Sequence, residues 1–262
     1  MTTATLGTWR KPPLAYVVAE LVISPHYSIG SSIAAIQDAL RPQYPRTVEA
    51  TEIHVETSAA PTPSPAWQLL SADQTRGVQI GARSFSLHAT TYTDSGTFMA
   101  LWSEILNAFG SANLQPFVER AGIRYVDLIV PSDGRSTREY LATPLQGMPT
   151  PPEADMQHCM WISSYQIDGV TVQTRTATPT PAGAVWPPNL NVLPLEKPAV
   201  LLAAEEAMQS SQRIGFIDTD CQAEVHTIFD PTDLASVYSK LHEKMSKTFD
   251  TLISDLAREE WK

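Results

Sequence analysis

The chain has 262 residues, 43% of them hydrophobic and 18% charged, and 28 acids against 18 Lys and Arg give a formal net charge of −10. Such a composition belongs to a globular chain able to bury a sizeable core, as one large domain or two smaller halves. The acid excess argues against binding to a nucleic-acid backbone or an anionic membrane, which both require a basic footprint.

After a polar arm, residues 14–24 read as a buried strand carrying one acid, Glu20, and ended by Pro25. Ile29, Ile33, Ile36 and Leu40 then step at helical spacing behind Ser28, and Pro42 and Pro45 close that helix. Residues 48–57 alternate as a half-exposed strand. A Pro-rich link over 59–66 precedes a short strand at 67–73, and 77–92 reads as one or two meander strands. Asp94 or Ser95 caps a helix whose apolar face carries Phe98, Leu101, Trp102, Ile105, Leu106 and Phe109. Gly110 breaks the pattern, and a second helical piece is expected around Phe117 and Val118.

The least bland stretch is 121–133. From Ile123 to Val130 it reads as a buried strand closed by Pro131 and Gly134. Arg124 shares a face with Val126, Leu128 and Val130, and a guanidinium placed there must be paired or hydrogen-bonded.

Further on, a short helix is expected at 136–141. Strands follow at 157–167 and 170–178, joined by Asp168-Gly169, the dipeptide of a type I′ hairpin turn. Residues 178–198 are Pro-rich and read as an extended crossing. Residues 200–207 and 213–227 resemble a strand pair, although the Ala and Glu content of 200–208 also suits a helix. The clearest element is last. Asp230-Pro231 starts a helix with Leu234, Val237, Leu241, Met245, Phe249, Leu252 and Leu256 on one stripe, running to Trp261 over roughly 40 Å at 1.5 Å per residue. It is expected to cover a sheet face or to form a homodimer seam.

These elements predict an α+β fold. Antiparallel-rich sheet is packed on one side by helices, the C-terminal one longest, in two similar halves, 1–133 and 134–262, or a single domain.

Several spaced motifs add a resemblance: PPLAYVVAEL at 12–21, WQLLSADQTRGVQI at 67–80, Tyr92-Thr93, GIRYVDLI at 122–129 and LHEKMSKTFDTLISDLARE at 241–259. In this order, over nearly the full length, they resemble a sporadically distributed bacterial family of about this size with no established biochemical function. The resemblance implies the patchy distribution of genes on mobile or defence-linked elements, and it implies no catalytic residue. That family's pattern follows Arg-Tyr and an aliphatic residue with Asn, so Asp127 departs from it.

Chemistry-bearing signatures are scarce. The chain has no GxGxxG opening a helix after a strand, no P-loop, no HExxH and no GxSxG. Cys159 and Cys221 sit in no zinc-ligand spacing, and free thiols are expected. The N-terminal residues lack an apolar signal core, and no apolar run of about 18 residues occurs, so a cytoplasmic protein is expected. No cofactor is favoured.

Three site readings remain open. Arg124 with Glu20 could form a buried ion pair or the wall of a pocket for a small anionic ligand or nucleotide. His54 and His88, with the Asp218-Thr219-Asp220 triplet, could hold a metal in a hydrolase or nuclease, against solvent-facing strand histidines and a solvated strand end. The acidic surface without catalytic signatures suits a non-catalytic regulatory component that binds a protein partner, in the manner of an antitoxin or phage-defence factor.

Overall fold

The computed structural model describes residues 9–54, 62–112, 114–132, 134–149, 151, 153–180, 185–187 and 189–262, and the side chains of residues 53, 54 and 62 lie outside that description. Among these residues nine strands form a single antiparallel sheet. In chain order they are β1 (Leu14–Ile23), β2 (Arg46–His54), β3 (Thr62–Leu70), β4 (Arg76–Gly81), β5 (Ser84–Ala89), β6 (Phe117–Ile129), β7 (Met160–Ile167), β8 (Val170–Ala177) and β9 (Gly215–Ile228), arranged β2-β3-β4-β5-β1-β6-β9-β8-β7. The helices are α1 (Ile29–Leu40), α2 (Ser95–Ser111), α3 (Ala199–Gln209), α4 (Pro231–Leu252) and α5 (Asp255–Trp261).

Alternation in the central strands sorts side chains between two unlike faces. Val17, Ala19 and Leu21 of β1, Phe85 and Leu87 of β5, and Ala121 and Ile123 of β6 point to one side. There they meet Trp102, Ile105 and Phe109 of α2, Ile36 and Leu40 of α1, and Leu234, Leu241 and Met245 of α4. This core draws on both the 1–133 and the 134–262 segments. The opposite face carries Glu20, His88, Arg124, Asp218 and Asp220. It is covered in part by α3, whose Leu201 and Ala204 pack with Leu128 and Phe216. Residues 185–187 and 189–195 of the Pro-rich crossing cover another part: Tyr16 Oη accepts the Leu193 N–H at 2.8 Å, and the Trp186 ring lies edge-on to Tyr16.

Local signals placed most elements. Asp94 caps α2 by accepting the Thr97 N–H, and Asp230 caps α4 by accepting from Thr232 and Asp233. Asp168 and Gly169, at φ +51° and +80°, make the turn between β7 and β8.

Four expectations need correction. Phe117 and Val118 belong to strand, not helix, because β6 extends to 13 residues between β1 and β9. The 59–66 link is partly strand: Pro63 and Pro65 sit in β3, tolerated because β4 pairs only with 66–70 and leaves that edge free of ladder bonds. Residues 199–209 are helical, so local propensity prevails over the strand-like apolar run. The terminal helix breaks at Ile253, which adopts extended geometry and bridges Leu141, and Ser254 caps α5 by accepting the Ala257 N–H.

The apolar stripe of α4 is consumed inside the chain, with Leu234, Leu241 and Met245 buried against the sheet and α2. It therefore covers a sheet face.

Candidate functional site

The polar sheet face gathers some of the residues singled out in the sequence. β1 and β6 are neighbours, but their register sets Val18, not Glu20, opposite Arg124. Arg124 stands across from Asp220 on β9 and directs its guanidinium to Asp218, with Nε–Oδ1 at 2.7 Å and Nη2–Oδ2 at 2.8 Å. Arg175 of β8 donates to the same Oδ2 at 2.7 Å. Asp218 is fully buried between two guanidinium groups, so it is neither a solvated strand end nor an accessible metal ligand. The remaining Arg124 N–H groups reach the carbonyl and side-chain oxygens of Asn189 in the crossing segment.

Glu20 takes a different partner, Arg120, at 3.5 Å. Burial raises its pKa, offset by the Arg120 charge. Asp220 accepts from Gln222 and is likewise raised by burial. Glu20, His88, Arg124, Asn191, Asp220 and Gln222 line a groove of about 140 Å³. The sequence thus pointed to a real concavity, but Arg124 and Arg120 are both engaged by protein acceptors. An anion entering the groove would meet no unengaged guanidinium.

His88 is buried, not solvent-facing. Its Nδ1 lies 3.1 Å from Tyr16 Oη and its Nε2 lies 2.7 Å from Ser86 Oγ, and desolvation pushes its pKa down to about 3. It is a neutral link in a hydrogen-bond chain running to Leu193. Two strands separate β5 from β9, which puts His88 roughly 14 Å from the Asp218 strand at 4.8 Å per step. His54 ends β2 near the far edge of the sheet, and its side chain lies outside the described residues. The four candidate metal ligands do not converge, and among the described residues no group of three or more His, Cys, Asp or Glu forms a metal cluster.

A second concavity lies on the helix-covered face. Tyr125 and Asp127 of β6 line its floor, with Tyr92 and Asp94 at the start of α2, His242, Met245 and Phe249 of α4, and Trp9, Pro12, Pro13 and Leu14 completing it. Its volume is about 190 Å³, and it is partly open to solvent. Tyr92 Oη and Tyr125 Oη are hydrogen-bonded at 2.9 Å. Asp127 is only 4% exposed, and its Oδ2 has no hydrogen-bond partner among the described residues. Desolvation, reinforced by the Asp218 charge, raises its pKa well above the usual carboxylate range. Desolvation also lowers that of His242. The sequence singled out Asp127 only as a departure from the pattern of the family that it resembles, with Tyr92 and Tyr125 inside the motifs of that resemblance. Nothing in the local spacing of Tyr92, Tyr125 and His242 brings them together.

The third feature is an edge. Among the described residues β7 pairs with β8 along one side and has no strand on the other. Its sequence MWISSYQI contains no charge, and Trp161, Ile162 and Tyr165 are exposed. The opposite edge, β2, carries Arg46, Glu49 and Glu52.

Cys159 and Cys221 are both free, and burial lifts the Cys221 thiol to about 12, which leaves it unreactive. No described helix is long and apolar enough to cross a membrane. No protein-family model matches the chain, and no curated protein matches it.

Proposed function

We propose that this protein is a non-catalytic binding and regulatory component that captures an extended segment of a basic protein partner by adding it as a tenth strand beside β7. The observation that carries this reading is the unguarded edge. Natural sheets protect free edges with Lys, Pro, bulges or a covering element, because unpaired N–H and C=O groups recruit other chains. β7 has eight residues, no charge and no proline, while β2 at the other edge carries charges. Strand addition would draw affinity from backbone hydrogen bonds and specificity from side chains beside Trp161, Ile162 and Tyr165. Charge selects the partner: two copies, each at −10, repel, whereas a segment flanked by Lys or Arg is attracted. The resemblance to a sporadically distributed bacterial family supports a setting on mobile or defence-linked elements.

The test compares the protein purified from its own cells with Ile162→Lys and Ser164→Lys, which place charge on the free rim at exposed positions. Native mass spectrometry is expected to find a basic protein on the wild type and none on either variant. Hydrogen exchange should show residues 160–167 protected in that complex. A wild type recovered alone, a homodimer, or a complex in which β7 exchanges as in the free protein would refute strand addition.

A further inference from the structure

The Asp127 pocket is independent of the β7 edge, and its lining is selective. Four aromatic rings, Trp9, Tyr92, Tyr125 and Phe249, line it together with the apolar Pro12 and Met245. Its acids are Asp127 on the floor and Asp94 at the start of α2. Neither Lys nor Arg is among the lining residues. A buried carboxyl is ordinarily hydrogen-bonded or paired, and leaving one without a partner is costly. Here Asp127 lines the pocket while its buried Oδ2 lacks any partner among the described residues.

We propose that this pocket binds a small organic ammonium ion, whose cationic head pairs with Asp127 and lies among the aromatic rings. The reasons are chemical. Aromatic faces attract cations, more strongly once water is excluded, and aromatic cages recognise ammonium groups in this way. A carboxylate supplies the counter-charge at short range. An anion would find no cation in the lining and would face Asp127 and Asp94. A neutral molecule could accept a hydrogen bond from the protonated carboxyl, but it would gain little from the rings and the acidic surroundings. The volume of about 190 Å³ sets the size. An apolar cavity of about 150 Å³ holds a benzene ring, so one ring with a short aminomethyl arm fits.

The proton balance is explicit. In the unliganded protein burial, with the Asp218 charge behind it, raises the Asp127 pKa and favours the protonated carboxyl. The other titratable groups lining the pocket are Tyr92 and Tyr125, His242 from α4 and Asp94, the cap of α2; none of these supplies a positive charge, since burial disfavours protonation of His242. An ammonium ion that enters with its own charge displaces the Asp127 proton to solvent and leaves an ammonium–carboxylate pair. Binding should therefore release about one proton and strengthen as pH rises, until the free amine deprotonates.

The experiment uses benzylamine, benzyl alcohol and benzoate, which share one ring and differ in head-group charge, against the full chain. Thermal shift and calorimetry at pH 7 are expected to show benzylamine binding and neither of the others at equal concentration. Calorimetry in two buffers of different ionisation enthalpy should report proton release. Asp127→Asn keeps the shape, removes the charge and should weaken benzylamine by about tenfold or more, while circular dichroism confirms that it folds. Equal binding of benzyl alcohol, full retention in Asp127→Asn, uptake without proton release, or no shift with benzylamine would each overturn the proposal.

Discussion

Arg124 faces Asp220 across the β6–β9 ladder, yet its guanidinium grips Asp218, two residues along β9, through two hydrogen bonds of 2.7 and 2.8 Å. The Asp-Thr-Asp triplet has like charges on one face, and the cation that makes this tolerable comes from the neighbouring strand. Arg175 completes the clamp from β8. Three adjacent strands are thereby tied in one register, because a one-residue slip would carry the charges to the opposite face.

Asp218→Asn is expected to destabilise the fold by about 3–5 kcal/mol, because it leaves two largely buried guanidinium groups without a counter-charge. Replacing all three together, as Arg124→Met, Arg175→Met and Asp218→Leu, should cost less, since no guanidinium is left unpaired and Asp220 keeps Gln222 and the Arg120 charge. Urea titrations of both variants check this. An Asp218→Asn protein within about 1 kcal/mol of the parent would mean that the clamp contributes little.

Asp127→Asn should stabilise the unliganded protein at neutral pH. A carboxyl whose folded pKa lies above its unfolded value, about 3.9, holds more protons in the native state. Its contribution is complete below that unfolded value and is lost as pH rises toward the folded pKa. The stability difference, variant minus wild type, should therefore grow with pH from about 4 upward, by about 1.4 kcal/mol per pH unit until the folded pKa is reached. A difference curve that stays flat between about pH 4 and 8 would show that Asp127 is ordinarily ionised.

Gly169→Ala should cost about 1 kcal/mol. A Cβ at this position meets nothing within 4 Å, so the penalty is purely that of holding φ at +80° with a side chain. Thermal unfolding reads it. Because the turn also delivers Asp168 to Lys244 of α4 at 2.6 Å, Asp168→Ala should lower the melting temperature too, an effect reduced by salt.

Truncation after Asp230 should give an insoluble or aggregating chain. It removes α4 and α5 and uncovers β6 and β9, together with the buried partners of Leu234, Tyr238, Leu241 and Met245. A soluble truncated monomer with a cooperative unfolding transition would contradict the packing role of α4.

How much of this was legible follows from the range of each interaction. Asp94 and Asp230 announced helix starts, Asp168-Gly169 announced a hairpin, and the apolar run at 14–24 announced a buried strand, because capping, turn geometry and side-chain patterning act within a few residues. The need for a partner at Arg124 was equally legible, since burying a guanidinium demands one whatever the fold. Which acid answered was not: Glu20 lies across from Gly122 and Asp218 across from Val126, two positions to either side of Arg124, and the guanidinium turns to Asp218. The break at Ile253 also needed tertiary structure, because the bridge to Leu141 outweighs a continuous helical stripe. Likewise Tyr92, Tyr125, Asp127 and His242 come from three elements and meet only after α4 folds back across β6. Local chemistry is written in local sequence, whereas strand order and helix docking are decided by the summed burial of the whole core, and those determined where every candidate site lies.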